Sequence, residues 1–282
     1  MSLPPAFLRA LRSLGLALAA LCASASAFAH APDQQQIEHL DAQLRVHPDD
    51  ADLLLRRAGV LHAAGRPEDA ARDYQRVLSL APQRIEARIG EAAVLLDQGR
   101  FAEAQRSLDA CAPRDARLES EKWRLQTEIF RAQHAYVEAA KALDHAIAIS
   151  AAPRPDDYLK RAELAIASGL PDEALAALDR GIARLNGAVA LRWRAIDIAI
   201  QTELTQTALF HLDHLEKVMP GSALVRARRG DVFAACGHNL EASAAWTGAL
   251  AQIESTPPRE RSLADQSLAE RLRRNLLLEE HP

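Results

Sequence analysis

The sequence predicts an all-α fold, a solenoid of helix–turn–helix units closed by a C-terminal helix. Three observations predict it. Aromatic residues make up only 4% of the chain while Ala and Leu dominate, so strands lack the side chains they favour. A small residue recurs at Ala70, Ala104, Ala139, Ala174, Ala208 and Ala242, with spacings of 34, 35, 35, 34 and 34. Four residues after each stands a large apolar one: Tyr74, Leu108, Leu143, Leu178, Leu212 and Trp246, one helical turn away on the same face. With 282 residues, 49% of them hydrophobic, the chain has ample material for a core.

Residues 1–29 are of another kind. Arg9 and Arg12 precede an uncharged apolar run that ends Ala27-Phe28-Ala29, the small-x-small pattern of a signal-peptidase site. Ala25-Ser26-Ala27 is a competing site, and a retained membrane anchor is the alternative, although the run is shorter than a span of about 20 apolar residues. Leu21, ahead of Cys22, is not the small residue a lipoprotein site wants. The expectation is export to the periplasm with cleavage near Ala29, which leaves His30 first and takes the formal charge from −4 to −6. That mild acidity argues against a nucleic-acid partner. Cys111 and Cys236, the cysteines beyond the leader, are expected to be small buried fillers, too distant in a stack to pair.

Residues 30–50 hold one amphipathic helix, with Ile37, Leu40 and Leu44 on one face, and read as half a repeat. Six units follow at 51–84, 85–118, 120–153, 155–187, 188–220 and 223–254. Gly65, Gly99, Gly169 and Gly237 mark their turns. First helices carry Ala58, Ala92, Ala162, Ala195 and Gly230 as small contact residues, with Leu61, Leu95, Phe130, Ala165, Ile198 and Phe233 at the following large positions. Residues 255–282 form a closing helix and tail: Thr256-Pro257-Pro258 looks like a helix start, and Leu268, Leu272 and Leu276 share one face.

This pattern resembles the tetratricopeptide repeat, a 34-residue helix–turn–helix with small residues where its helices touch, and the resemblance implies a right-handed superhelical solenoid. Ala58, Leu61, Ala70, Tyr74 and Pro82 of the first unit match it directly, and the resemblance covers about residues 51–254. Three departures stand out. Trp opens a unit only at Trp123, His134 stands where the third glycine belongs, and Thr202-Glu203 stands at the fifth turn with one extra residue between the helices, which predicts a local kink or a longer turn.

Catalytic patterns are not evident: the chain has no HExxH, no glycine-rich phosphate loop, no GxSxG and no CxxC. The chain is read as no enzyme, with no cofactor and no metal site. His211 and His214 share a helix face, but a third ligand is missing and Leu212 and Leu215 take the inner side, so both histidines are expected in solvent. A mature amino-terminal His30 could offer its amine and imidazole to copper.

The resemblance implies that first helices line a groove, reached by i, i+3, i+7, i+10 spacing. That places Asp52, Leu55, Gly59 and His62 there, then Glu86, Ile89, Ala93 and Leu96, then Glu121, Arg124, Glu128 and Arg131, then Asp156, Leu159, Glu163 and Ile166. An acid leads each set, and aliphatics follow in three of them. The set suits an extended or helical peptide carrying Lys or Arg. The leading acids also complement the helix macrodipole, which explains them without a ligand. Leu55 and Gly59 stand where some members of the family grip a terminal carboxylate with Lys and Asn, so that clamp is not expected. The leader and the resemblance together imply an exported scaffold for protein or peptide partners in an envelope assembly. Copper binding at His30 and a self-associating structural role are the alternatives.

Overall fold

The structure is a computed structural model and describes residues 33–280, the side chains of 279 and 280 excepted. The leader and His30 lie outside the described residues. Those described form helices and no strands. Helix α1 spans 33–46. It is followed by α2 (Ala51–Ala63), α3 (Pro67–Leu80), α4 (Ile85–Asp97), α5 (Phe101–Asp109), α6 (Ala116–Ala132) and α7 (Tyr136–Ile149). Then come α8 (Pro155–Ala167), α9 (Pro171–Arg184), α10 (Val189–Gln201), α11 (Thr205–Val218), α12 (Ala223–Ala235), α13 (Asn239–Ser255) and α14 (Leu263–Glu280). Contacts divide the chain into two compact units, α1–α6 with residues 148–151 and α7–α14 without them.

Helix starts follow from local chemistry. Asp50 accepts hydrogen bonds from the amides of Asp52 (2.9 Å) and Leu53 (3.0 Å), and Asp115 does the same for Arg117 and Leu118. Pro67, Pro155 and Pro171 occupy first-turn positions, where a missing N–H costs nothing. Each hairpin closes through three residues whose middle one has a left-handed backbone: Gly65, Gly99, His134, Gly169, Glu203 and Gly237, with φ between 59° and 73°. In the first turn the Arg66 amide donates back to the Leu61 carbonyl at 2.9 Å, and in the fifth Leu204 donates to Ala199 at 2.8 Å, the closing bond of a Schellman cap.

The fifth turn therefore corrects an expectation. It is not longer than the others: Thr202, Glu203 and Leu204 connect α10 and α11 just as Ala64, Gly65 and Arg66 connect α2 and α3. Counted back from Glu203, the small-residue position of α10 falls on Ile196, and the large position three later on Ala199, not on Ala195 and Ile198. The sequence offers two registers one residue apart because Leu191, Ala195, Ile196, Ile198 and Ala199 are all fully buried. Only neighbouring helices decide between them.

In the first unit, Ile37, Leu40 and Leu44 of α1 pack with Leu53, Leu54, Leu61, Tyr74 and Val77 in one apolar cluster, and Ala92, Ala104, Leu108 and Ile129 form another. In the second unit, Ile196, Leu212, Leu215 and Val232 form one cluster, and Trp246, Ile253, Ala269 and Leu272 another. Small residues permit these contacts: a Cβ added at Gly230 would lie 2.5 Å from the Trp246 ring. Leu272 is fully buried, with Leu268 and Leu276 packed beside it, so α14 closes the second unit as the leucine spacing predicts. Its start differs. Thr256 ends α13, and Ser262 caps α14 by accepting from the Asp265 amide (3.1 Å) while Asp265 accepts from the Ser262 amide.

Candidate functional site

First-helix side chains form the candidate surface of each unit. In the first unit Leu55 packs partly against the α1–α4 cluster, and Ile89 and Leu96 partly against the cluster around Leu108. Each keeps some accessible surface while anchoring its helix. The acids are not bare. Arg84 holds Asp52 at 2.6 Å and lies 3.3 Å from Glu86; Arg117 pairs with Glu121 at 3.0 Å; Arg131 pairs with Glu128 at 2.7 Å. Arg124 is half-buried beside them on α6. His62 reaches Asp97 at 2.6 Å. Exposed pairs of this kind hold little energy, so an incoming cation can exchange for the resident arginine.

A cavity of about 270 Å³ lies among α3, α4 and α5, lined in part by Gln75, Arg88, Glu91, Arg106 and Ser107. Its polar groups largely satisfy one another: Ser107 donates to Glu91 at 2.8 Å, and Arg100 grips Glu103 through two bonds of 2.7 and 2.8 Å. That grip holds the Glu103 carboxyl below its ordinary range.

In the second unit, Asp156 and Glu163 of α8 are exposed, with Leu159 and Ile166 half-buried between them. The structure adds residues that the sequence register did not reach. With Glu203 as the turn residue, the phase of Leu159, Glu163 and Ile166 recurs on α10 as Trp193, Asp197 and Ile200, all half-buried. Reading Glu203 as a glycine substitute is the signal that would have found them. Trp193 and Ile200 pack on the cluster around Leu212. Asp197 pairs with Arg228 of α12, which also reaches Asp231 at 3.3 Å; Asp231 further accepts from Arg271 and from the Trp246 indole, each at 2.9 Å. An acid between two apolar residues therefore recurs on α8 and α10.

The histidine expectation is half wrong. His214 is half-buried, but His211 is 1% exposed, with Nε2 lying 3.6 Å from Asp179 and Nδ1 buried without a partner. Its place three residues, about one helical turn, beyond the small Ala208 turns it toward Asp179 of the previous hairpin. Burial pushes its pKa below the ordinary histidine value. Cys111 is buried, where loss of solvent raises its pKa, whereas Cys236 is only half-buried and lies within reach of the Thr205 hydroxyl (2.7 Å). Among the described residues, no group of three or more His, Cys, Asp or Glu could hold a metal ion, and no helix is long and apolar enough to cross a membrane.

Fold and surface together define a helical-hairpin repeat scaffold, whose first helices carry side chains that packing does not consume. Residues 61–129 match the family model of the tetratricopeptide repeat, and the hairpins on either side of that span keep the same turn phase. Among curated proteins, none matches. Solved structures similar to this chain include a tetratricopeptide repeat protein from Parabacteroides merdae ATCC 43184, at 16% identity over 87% of this chain and 95% of that one, with a TM-score of 0.48. Another is YrrB, a TPR protein with an unusual peptide-binding site, at 15% identity over 84% of this chain and 99% of that one, with a TM-score of 0.43. At these identities and scores the likeness says nothing of this chain's own partner.

Proposed function

We propose that this protein is an exported, periplasmic scaffold that binds a protein or peptide partner through its first-helix faces and catalyses nothing itself. Tetratricopeptide repeats as a class are scaffolds for protein and peptide binding, and residues 61–129 match that family. The proposed binding residues are Asp52, Leu55, Glu86, Ile89, Leu96, Glu121, Arg124 and Glu128 on the first unit, and Asp156, Leu159, Glu163, Ile166, Trp193, Asp197 and Ile200 on the second. The partner segment alternates apolar residues with Lys or Arg. One observation carries this reading. Glu163 and Asp197 lie in the later halves of their helices, where the macrodipole disfavours an acid, so dipole compensation does not account for them. A cationic ligand between Leu159 and Ile166 accounts for Glu163, and at Asp197 it would take the place of Arg228. Export rests on the charge pattern and small-residue ending of residues 1–29.

The test is a peptide array in which apolar residues alternate with Lys, Glu or Gln. Capture is expected to favour Lys peptides and to drop at least about tenfold in the triple variant Asp156→Lys, Glu163→Lys, Asp197→Lys, with helical circular dichroism unchanged. Equal capture of all three peptide sets, or no loss in the variant, rejects the reading. Mass spectrometry of the native amino terminus tests export separately.

A further inference from the structure

Three first helices reach the preceding second helix through the same ion pair. Arg57 meets Asp41 at 2.7 Å, Arg161 meets Asp144 at 3.0 Å, and Arg229 meets Asp213 at 2.8 Å. Partners are 16, 17 and 16 residues apart. Sixteen residues beyond Asp179 the same place holds Ala195, which is fully buried and carries no charge. Asp179 faces His211 of α11 instead, at 3.6 Å from Nε2. A permanently charged arginine has been exchanged for a buried imidazole.

The charged and titratable groups that act on that imidazole lie on α9, α10 and α11 itself. Asp179 of α9 favours the charged ring, while Arg192 of α10 and His214 of α11 oppose it. Removal from water opposes it more strongly than any of them, and Nδ1 has no acceptor for the second proton. We propose that His211 makes the junction of α9, α10 and α11 acid-labile, so that the fourth and fifth hairpins loosen when the imidazole takes up a proton. Above about pH 7 the ring is neutral in both closed and opened forms, and pH has no effect through it. Below about pH 6.5 the opened form protonates first. The opened population then rises up to about tenfold per pH unit, until the closed form also titrates. Arg57, Arg161 and Arg229 do not titrate in this range. Because α10 carries Trp193, Asp197 and Ile200, the proposed binding face would respond to pH as well; that consequence rests on the function proposed above.

Hydrogen exchange of the full chain at pH 7.5 and 5.5, corrected for intrinsic rates and read without any partner, tests the latch independently of binding. Protection of α10 and α11 is expected to fall about tenfold at pH 5.5 relative to α2 and α3, whose Arg57 serves as the internal control. His211→Gln is expected to abolish that difference, and Asp179→Asn to enlarge it by removing the carboxylate that tolerates the charged ring. Equal protection at both pH values in the wild type overturns the proposal. So does a His211→Gln variant that keeps the wild-type pH response. Should His211→Gln fail to fold, Asp179→Asn decides: an unchanged or smaller acid effect overturns it.

Discussion

The α2–α3 and α10–α11 hairpins share one frame and differ in how they fill its polar position. Both close through three residues with a left-handed middle one, Gly65 in the first and Glu203 in the second. Both bury a small residue and then a large one on the second helix: Ala70 and Tyr74, Ala208 and Leu212. At the polar position, Arg57 binds Asp73 through two 2.7 Å bonds and Asp41 through a third, and these carboxylates, Asp73 first, hold its guanidinium charged far above any relevant pH. The α10–α11 hairpin has Ala195 there, with the buried His211 nearby. Turn geometry and apolar packing are thus obligatory, whereas the polar content of a junction is free to vary and can be given a titration point.

The largest effects are expected in the frame that both hairpins share. Tyr74→Ala and Leu212→Ala remove equivalent buried side chains, and each is expected to cost about 3 kcal/mol in chemical denaturation. A loss below about 1 kcal/mol at either site would show that the frame is not common to both hairpins. Arg57→Met strands the nearly buried Asp73 and is expected to cost about 2 kcal/mol. Its sign with pH sharpens the contrast. A raised pKa means the contribution is complete below the unfolded arginine value and lost only in strong base, so the cost should be flat from pH 8 to 6. For His211 the shift is downward, and stability should decline as pH falls below about 6.5. Denaturation midpoints of wild type and His211→Gln across that range check it. The smallest expected effect is at the turns. Glu203→Gly relieves a left-handed side-chain-bearing residue and should gain about 1 kcal/mol, while Gly65→Ala should lose about as much.

Much of this architecture is legible in the chain. The 34- and 35-residue spacing of Ala70 to Ala242 locates six second helices, since only one helical face tolerates that run of small and large residues. Four turns announce themselves as glycines. His134 and Glu203 do not, because their left-handed backbones are imposed by the flanking helices and leave no trace in residue type. That gap hid the register of α10, and with it Trp193, Asp197 and Ile200. Likewise, Thr256-Pro257-Pro258 imitates a helix start, although the α14 cap is supplied by Ser262 and Asp265.

The helical hairpins, their period and most of their core follow from the order of residues along the chain, because repeat packing is local and each repeat makes the same demands as the last. Tertiary structure alone decided which of two registers α10 adopts, which acids of the first helices are held by arginines, and that His211 is buried. Each of these depends on residues from a neighbouring hairpin. Periodicity along one helix does not say what stands opposite it.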